Sequence, residues 1–151
     1  MIYLLILLIG VVAGLRAATP IAAISLGAYL GWLDFSTAWY SFLGSLPAVI
    51  ILIILAIVEL VGDQLPSTPS RKVPMQFGGR IVMGAIAGAL LMPANWIIGA
   101  VIGVVGAVLG TLGGAEARAW LAKAFGRDLP AGLLEDAIAI IAALLIVSSI
   151  A

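Results

Sequence analysis

GLRAATP, residues 14–20, interrupts the apolar run MIYLLILLIGVVAGLRAATPIAAISLGAYLGWL that fills residues 1–33. An arginine that always carries charge sits there four positions before a proline, with Thr19 between them. If the chain enters a bilayer at its first residue, sixteen helical residues rise about 24 Å and carry Arg16 deep into the hydrocarbon. Pro20 lacks an N–H and clashes with the carbonyl four residues back, which belongs to Arg16. A cation and a freed acceptor are therefore expected side by side. Such a break is tolerated at depth only where protein buries it or where it lines a wet cavity.

The surroundings decide whether that medium is lipid. Of the 151 residues, 64% are hydrophobic and 9% are charged, and mean hydropathy is +1.30. Soluble domains carry about 25% charged residues, and one core of this size could not hide so much apolar surface. The expected fold is an all-α polytopic transmembrane helical bundle. Formal net charge is zero, so no basic footprint points to nucleic acid. The absence of Cys and His excludes disulfides, thiolate chemistry, Cys/His zinc sites and imidazole catalysis. A cleaved signal peptide fits poorly. The first residues carry no Lys or Arg, and cleavage after Ala18 would put Arg16 where a small residue belongs.

A spanning helix needs about 20 apolar residues. Five membrane segments are read at about 2–32, 45–63, 79–93, 95–114 and 131–150, with Pro20 breaking the first into two parts, all within one domain, 1–151. Arg71, Lys72 and Arg80 cluster on one connection, and Arg118, Lys123 and Arg127 on another. The bias of Lys and Arg toward cytoplasmic loops then places the N-terminus and both basic loops inside and the C-terminus outside. Trp32, Phe35, Trp39, Tyr40, Phe42 and Trp96 would form an outer interfacial belt. IGVVAG (9–14) recurs as IGVVGA (102–107). Units 1–63 and 95–151, joined by loop 64–78 and helix 79–93, would form an inverted repeat, a transporter signature.

Gly99, Gly103, Gly106, Gly110 and Gly113 share one helical face, and Gly10/Gly14, Gly27/Gly31 and Gly84/Gly88 repeat the small-xxx-small spacing. Close helix packing within one chain is the preferred use of these residues, with a homodimer seam as the alternative. Intramembrane charge marks candidate sites, here Arg16, Glu59 and Asp63 (spaced i, i+4), and Arg80, with Thr19 and Pro20 beside the arginine. Glu135 and Asp136 read instead as interfacial charges suited to a helix N-terminus. AEARAWLAKAF, 115–125, reads as a separate amphipathic helix on the cytoplasmic surface.

GLRAATP, VELVGDQLP and GGRIVMGAIAGALL together resemble bacterial membrane proteins of domain-of-unknown-function family 4126. Gly14, Arg16, Pro20, Glu59, Asp63, Pro66 and Arg80 match the family's pattern, while Gln64 stands where the family tends to have Lys. The resemblance implies a small multi-span bacterial protein and assigns no activity; the inner membrane is its expected location.

Three functions compete. The first is a transporter or channel for a small anionic or polar solute bound at Arg16, with Arg80 as a second contact. Second comes a non-catalytic scaffold or lipid-binding protein in which Arg16 and Glu59/Asp63 form a structural ion pair. An enzyme ranks last, because its chemistry would rest on Glu59/Asp63 and a metal. The implied partners are membrane lipid and a solute of unknown identity; no cofactor is implied.

Overall fold

The computed structural model describes residues 1–64 and 73–150. Six α-helices account for most of them: α1 (Ile2–Leu15), α2 (Thr19–Tyr29), α3 (Leu46–Gly62), α4 (Pro74–Leu91), α5 (Trp96–Phe125) and α6 (Asp128–Ile150). Short 3-10 helices at Ser41–Gly44 and Pro93–Asn95 lead into α3 and α5, and there is no strand among the described residues. Helices α4 and α6, and the continuous stretch Pro93–Phe125, are long and apolar enough to cross a membrane; α1, α2 and α3 are shorter. Large apolar side chains line the outside, among them Ile51, Ile54, Val101, Leu109, Ile141 and Leu145. Exposure of this kind suits lipid and not water, and the chain is a membrane protein.

Helices α1 and α2 do not form one broken span. Arg16 is extended (φ −144°, ψ 114°) and ends α1, while Pro20 sits in the first turn of α2, where a missing N–H costs nothing. The chain reverses between them. Leu7 and Gly10 of α1 meet Gly106 of α5, and Val11 meets Gly110, so α1 and α5 run in the same direction. Arg16 meets Asp136 near the start of α6, whereas Gly27 meets Val147 near its end, so α2 runs with α6. Gly132 of α6 faces Arg118 of α5, which makes these two consecutive helices antiparallel. Helices α1 and α2 are therefore the arms of an antiparallel hairpin with GLRAATP at its tip. Their 14 and 11 residues are about 21 and 16 Å long, too short for a hydrocarbon layer about 30 Å thick.

Two expectations fall with that reversal, and a third falls to the length of α5. Met1 lies at the opposite end of the bundle from the end of α3, the start of α4 and the α5–α6 turn. The N-terminus thus lies at the other end of the bundle from Arg80 and the α5–α6 turn, unlike the common face expected of them. The segments IGVVAG and IGVVGA lie side by side and parallel, so units 1–63 and 95–151 are not an inverted pair. Residues 115–125 form no separate surface helix but continue α5 to Phe125, where Gly126 (φ 73°) terminates it. Ala, Glu, Arg, Leu and Lys in that stretch are strong helix formers, so propagation wins over a bend.

Glycines let α5 lie directly on two neighbours. Gly10 and Gly14 of α1 face Gly103, Gly106 and Gly110, while Gly84 and Gly88 of α4 face Gly103 and Gly99. A Cβ at Gly14 would stand 2.7 Å from the Gly110 carbonyl carbon, and one at Gly84 2.8 Å from Ala107 Cβ. Gly113 departs from the expected stripe, since a Cβ there would meet nothing within 4 Å. Ile6, Ile9, Val12, Ile24, Ala143 and Val147 complete the core between α1, α2 and α6. Helix α3 stands apart, with only Val49 and Ala56 buried. Gly103→Leu is expected to lower stability by about 1–3 kcal/mol or more through overpacking, and Gly113→Leu by less than about 0.5 kcal/mol. Unfolding in detergent checks both, and equal losses would contradict the seam.

Candidate functional site

The hairpin tip leaves backbone groups without helical partners: carbonyls at the end of α1 and amides at the start of α2. In lipid such groups must find partners within the protein. Arg80 Nη1 donates to Gly14 O at 2.9 Å and Leu15 O at 2.7 Å. Thr111 Oγ1 donates to Gly14 O at 3.4 Å. Glu59 accepts from Ala17 N at 2.6 Å and from Ala18 N at 2.7 Å, one amide on each carboxylate oxygen. A cation thus closes the negative end of α1 and an anion the positive end of α2, the sense the two helix dipoles favour.

Arg16 itself is fully buried. Its Nε donates to Asp136 Oδ1 at 2.6 Å, and its Nη1 donates to Leu15 O at 2.7 Å. Nη1 also lies 3.3 Å from Glu135 Oε1 and 3.3 Å from Asp63 Oδ2, and Nη2 contacts the Asp136 carboxylate. The network continues outward. Arg80 Nη2 lies 3.6 Å from Asp63 Oδ2, and Gln64 Nε2 donates to Asp136 Oδ2 at 2.9 Å. Arg118 Nη1 lies 3.7 Å from Glu135 Oε2; its Nε and Nη2 bind the more exposed Asp128 at 3.1 and 2.8 Å. A side chain at Gly132 would collide with Gln64 and Arg118, so that glycine makes room for both.

The structure brings Arg16, Glu59, Asp63 and Arg80 to one place but divides their work. Glu59 holds the tip amides, and Asp63 is the acid of this pair that meets Arg16. The capped carbonyls belong to Gly14 and Leu15, not to Arg16 as the proline arithmetic predicts, because α1 has already ended before Pro20 can act. Thr19 and Pro20 are buried in the first turn of α2. Thr19 also borders an apolar cleft of about 190 Å³ between α2, α3 and α6. Pro66, Arg71 and Lys72 lie outside the described residues.

Glu135 and Asp136 correct a sequence reading. They are 7% and 8% exposed and lie two turns into α6, which begins at Asp128 and not at residue 131. Pro130 in RDLP is the signal for that earlier start, since proline is favoured in a first turn. Gln64 and Arg118 were likewise outside the candidate set. No group of three or more acids poised to hold a metal ion occurs among the described residues.

Glu59→Ala strips both tip amides of their acceptor and is expected to cost about 1–3 kcal/mol, with Glu59→Gln, which keeps one acceptor, costing less. Melting in detergent gives the ranking, and faster amide exchange at Ala17 and Ala18 gives the location. Unchanged exchange in Glu59→Ala would refute the capping role.

The family model described as domain of unknown function (DUF4126) matches residues 3–149, a range that takes in every residue of the network. No curated protein and no solved structure matches.

Proposed function

The chain belongs to the DUF4126 family, and we propose that it acts as a non-catalytic membrane protein, a scaffold or lipid-binding partner, in which Arg16 pins the hairpin and does not receive a solute. One observation carries this reading: Arg16 is fully buried, with its nitrogens already against Asp63, Glu135, Asp136 and the Leu15 carbonyl. An incoming anion would have to displace carboxylates from that guanidinium. A homodimer built on the glycine faces has less support, because Gly10, Gly14, Gly84, Gly88, Gly99, Gly103, Gly106 and Gly110 are all engaged within one chain.

Transport is the second reading, favoured by the meeting of two half-helix ends at depth, an arrangement discontinuous transporter helices also use. In that reading the network is a closed gate.

A bacterial inner-membrane location belongs to the same proposal. The end carrying Arg118, Lys123 and Arg127 then faces the cytoplasm, with Met1 and Ile150 both outside. Because the chain has no cysteine, single cysteines at Tyr3, Ser149 and Lys123 report this cleanly. The first two are expected to label from outside and the third from inside; labelling of Tyr3→Cys from the cytoplasmic side would overturn the orientation.

Arg16→Leu alone is expected to lose about 3–5 kcal/mol, because it leaves buried acids uncompensated. Adding Glu135→Gln and Asp136→Asn should recover much of that loss. Flux of small anions into liposomes separates the readings: flux above empty vesicles that disappears in a stably folded triple variant supports transport and sinks the structural reading.

A further inference from the structure

At the end of the bundle opposite the ion network, aromatic residues from two separate segments line one cavity of about 580 Å³ between α2, α4 and the connection into α3. Trp39, Tyr40 and Phe42 come from that connection and Trp96 from the start of α5, with Ile86 and Leu90 of α4 on the wall between them. The volume falls within the range of about 300–1,000 Å³ usual for small-molecule sites. An interfacial belt explains why aromatics lie at this level, but not why segments more than fifty residues apart in sequence converge on one space. Tyr40 is held in place. Its ring packs edge-on to the buried Phe35 at 4.9 Å and to Trp39 at 5.4 Å between centroids.

Charge is distributed unevenly between the two ends. The described Lys and Arg residues, Arg16, Arg80, Arg118, Lys123 and Arg127, all lie at the network end. At the aromatic end the one charged side chain among the described residues is Asp34, in the same connection as Trp39. Asp34 accepts from Ser36 N at 3.0 Å and Ser36 Oγ at 2.6 Å, and these bonds hold its carboxyl below the usual range. An anion therefore persists in the connection that supplies Trp39, Tyr40 and Phe42 to the cavity, whose walls offer aromatic faces, and such faces attract cations.

We propose that this cavity binds a lipophilic cation, an apolar body bearing a quaternary ammonium or phosphonium charge. The aliphatic wall from α4 takes the apolar body, and the rings of Trp39, Tyr40, Phe42 and Trp96 surround the charge without requiring a hydrogen bond, which such a cation cannot donate. A primary anion site would need basic donors, and the described residues place none here. This proposal stands independently of the role assigned to Arg16.

Tetraphenylphosphonium and tetraphenylborate have nearly the same shape and opposite charge, so the pair isolates the electrostatic preference. Equilibrium dialysis against protein in nanodiscs, corrected for empty nanodiscs, is expected to show saturable phosphonium binding about tenfold or more tighter than borate binding. Trp39→Ala and Trp96→Ala should each weaken it about tenfold, Trp96→Phe should retain most of it, and Asp34→Asn should weaken it by a smaller factor. Trp39 is 85% exposed, so its truncation leaves folding intact. Absence of saturable binding, equal binding of the two ions (an apolar lipid groove only), or indifference to both tryptophan changes would overturn the proposal.

Discussion

Backbone polarity at the hairpin tip is the constraint on which the rest of the fold depends. Helix α1 ends and α2 begins within four residues, and the orphaned groups there cannot turn to water if lipid surrounds the bundle. Glu59 of α3, Arg80 of α4 and Thr111 of α5 supply the missing partners. Asp136 and Glu135 of α6 reach the same point through Arg16. One tip therefore takes a ligand from every other long helix. Sliding any of them by a single turn would strand either a backbone group or a charge, so the network sets their relative heights as well as holding the tip closed.

Glycine supplies what the charges cannot. Apolar side chains gain little from pairing in lipid, where close backbone approach must provide the contact. By meeting Gly10 and Gly14 from one side and Gly84 and Gly88 from the other, α5 draws α1 and α4 together around itself. The same closeness brings Arg80 to the end of α1, six residues into its own helix. Packing and capping are thus coupled: the guanidinium reaches Gly14 O and Leu15 O only because bare backbones touch one turn deeper.

Composition and glycine spacing made the helical membrane fold readable, and Arg16 with Pro20 marked the break. Direction was not readable. Helical periodicity says which face of α1 carries Gly10 and Gly14, but a face looks alike whichever way its helix runs, so a kinked span and a reversed hairpin share one pattern. The orientation drawn from basic loops inherited that ambiguity, and so did the inverted repeat. The acids were hidden by distance instead. Asp136 lies 120 residues from Arg16, and an acidic pair near a helix start has an ordinary explanation in the helix dipole that nothing local contradicts.

Why the tip uses arginine twice follows from the shape of the group. Lysine presents a single compact charge, whereas a guanidinium spreads its donors in a rigid plane and resists deprotonation on burial. Arg16 uses that plane to address Asp136 along one edge, Glu135 and Asp63 along another, and the Leu15 carbonyl of its own chain. Arg80 places one nitrogen against two successive carbonyls and a second toward Asp63. Asp63 therefore lies between two arginines that would otherwise repel, and the Leu15 carbonyl accepts from both. An ammonium at position 16, with three donors for four partners, would leave one unanswered; at position 80 its donors would all leave a single nitrogen, where the guanidinium uses two. Shape, beyond charge, is what commits these two positions to arginine.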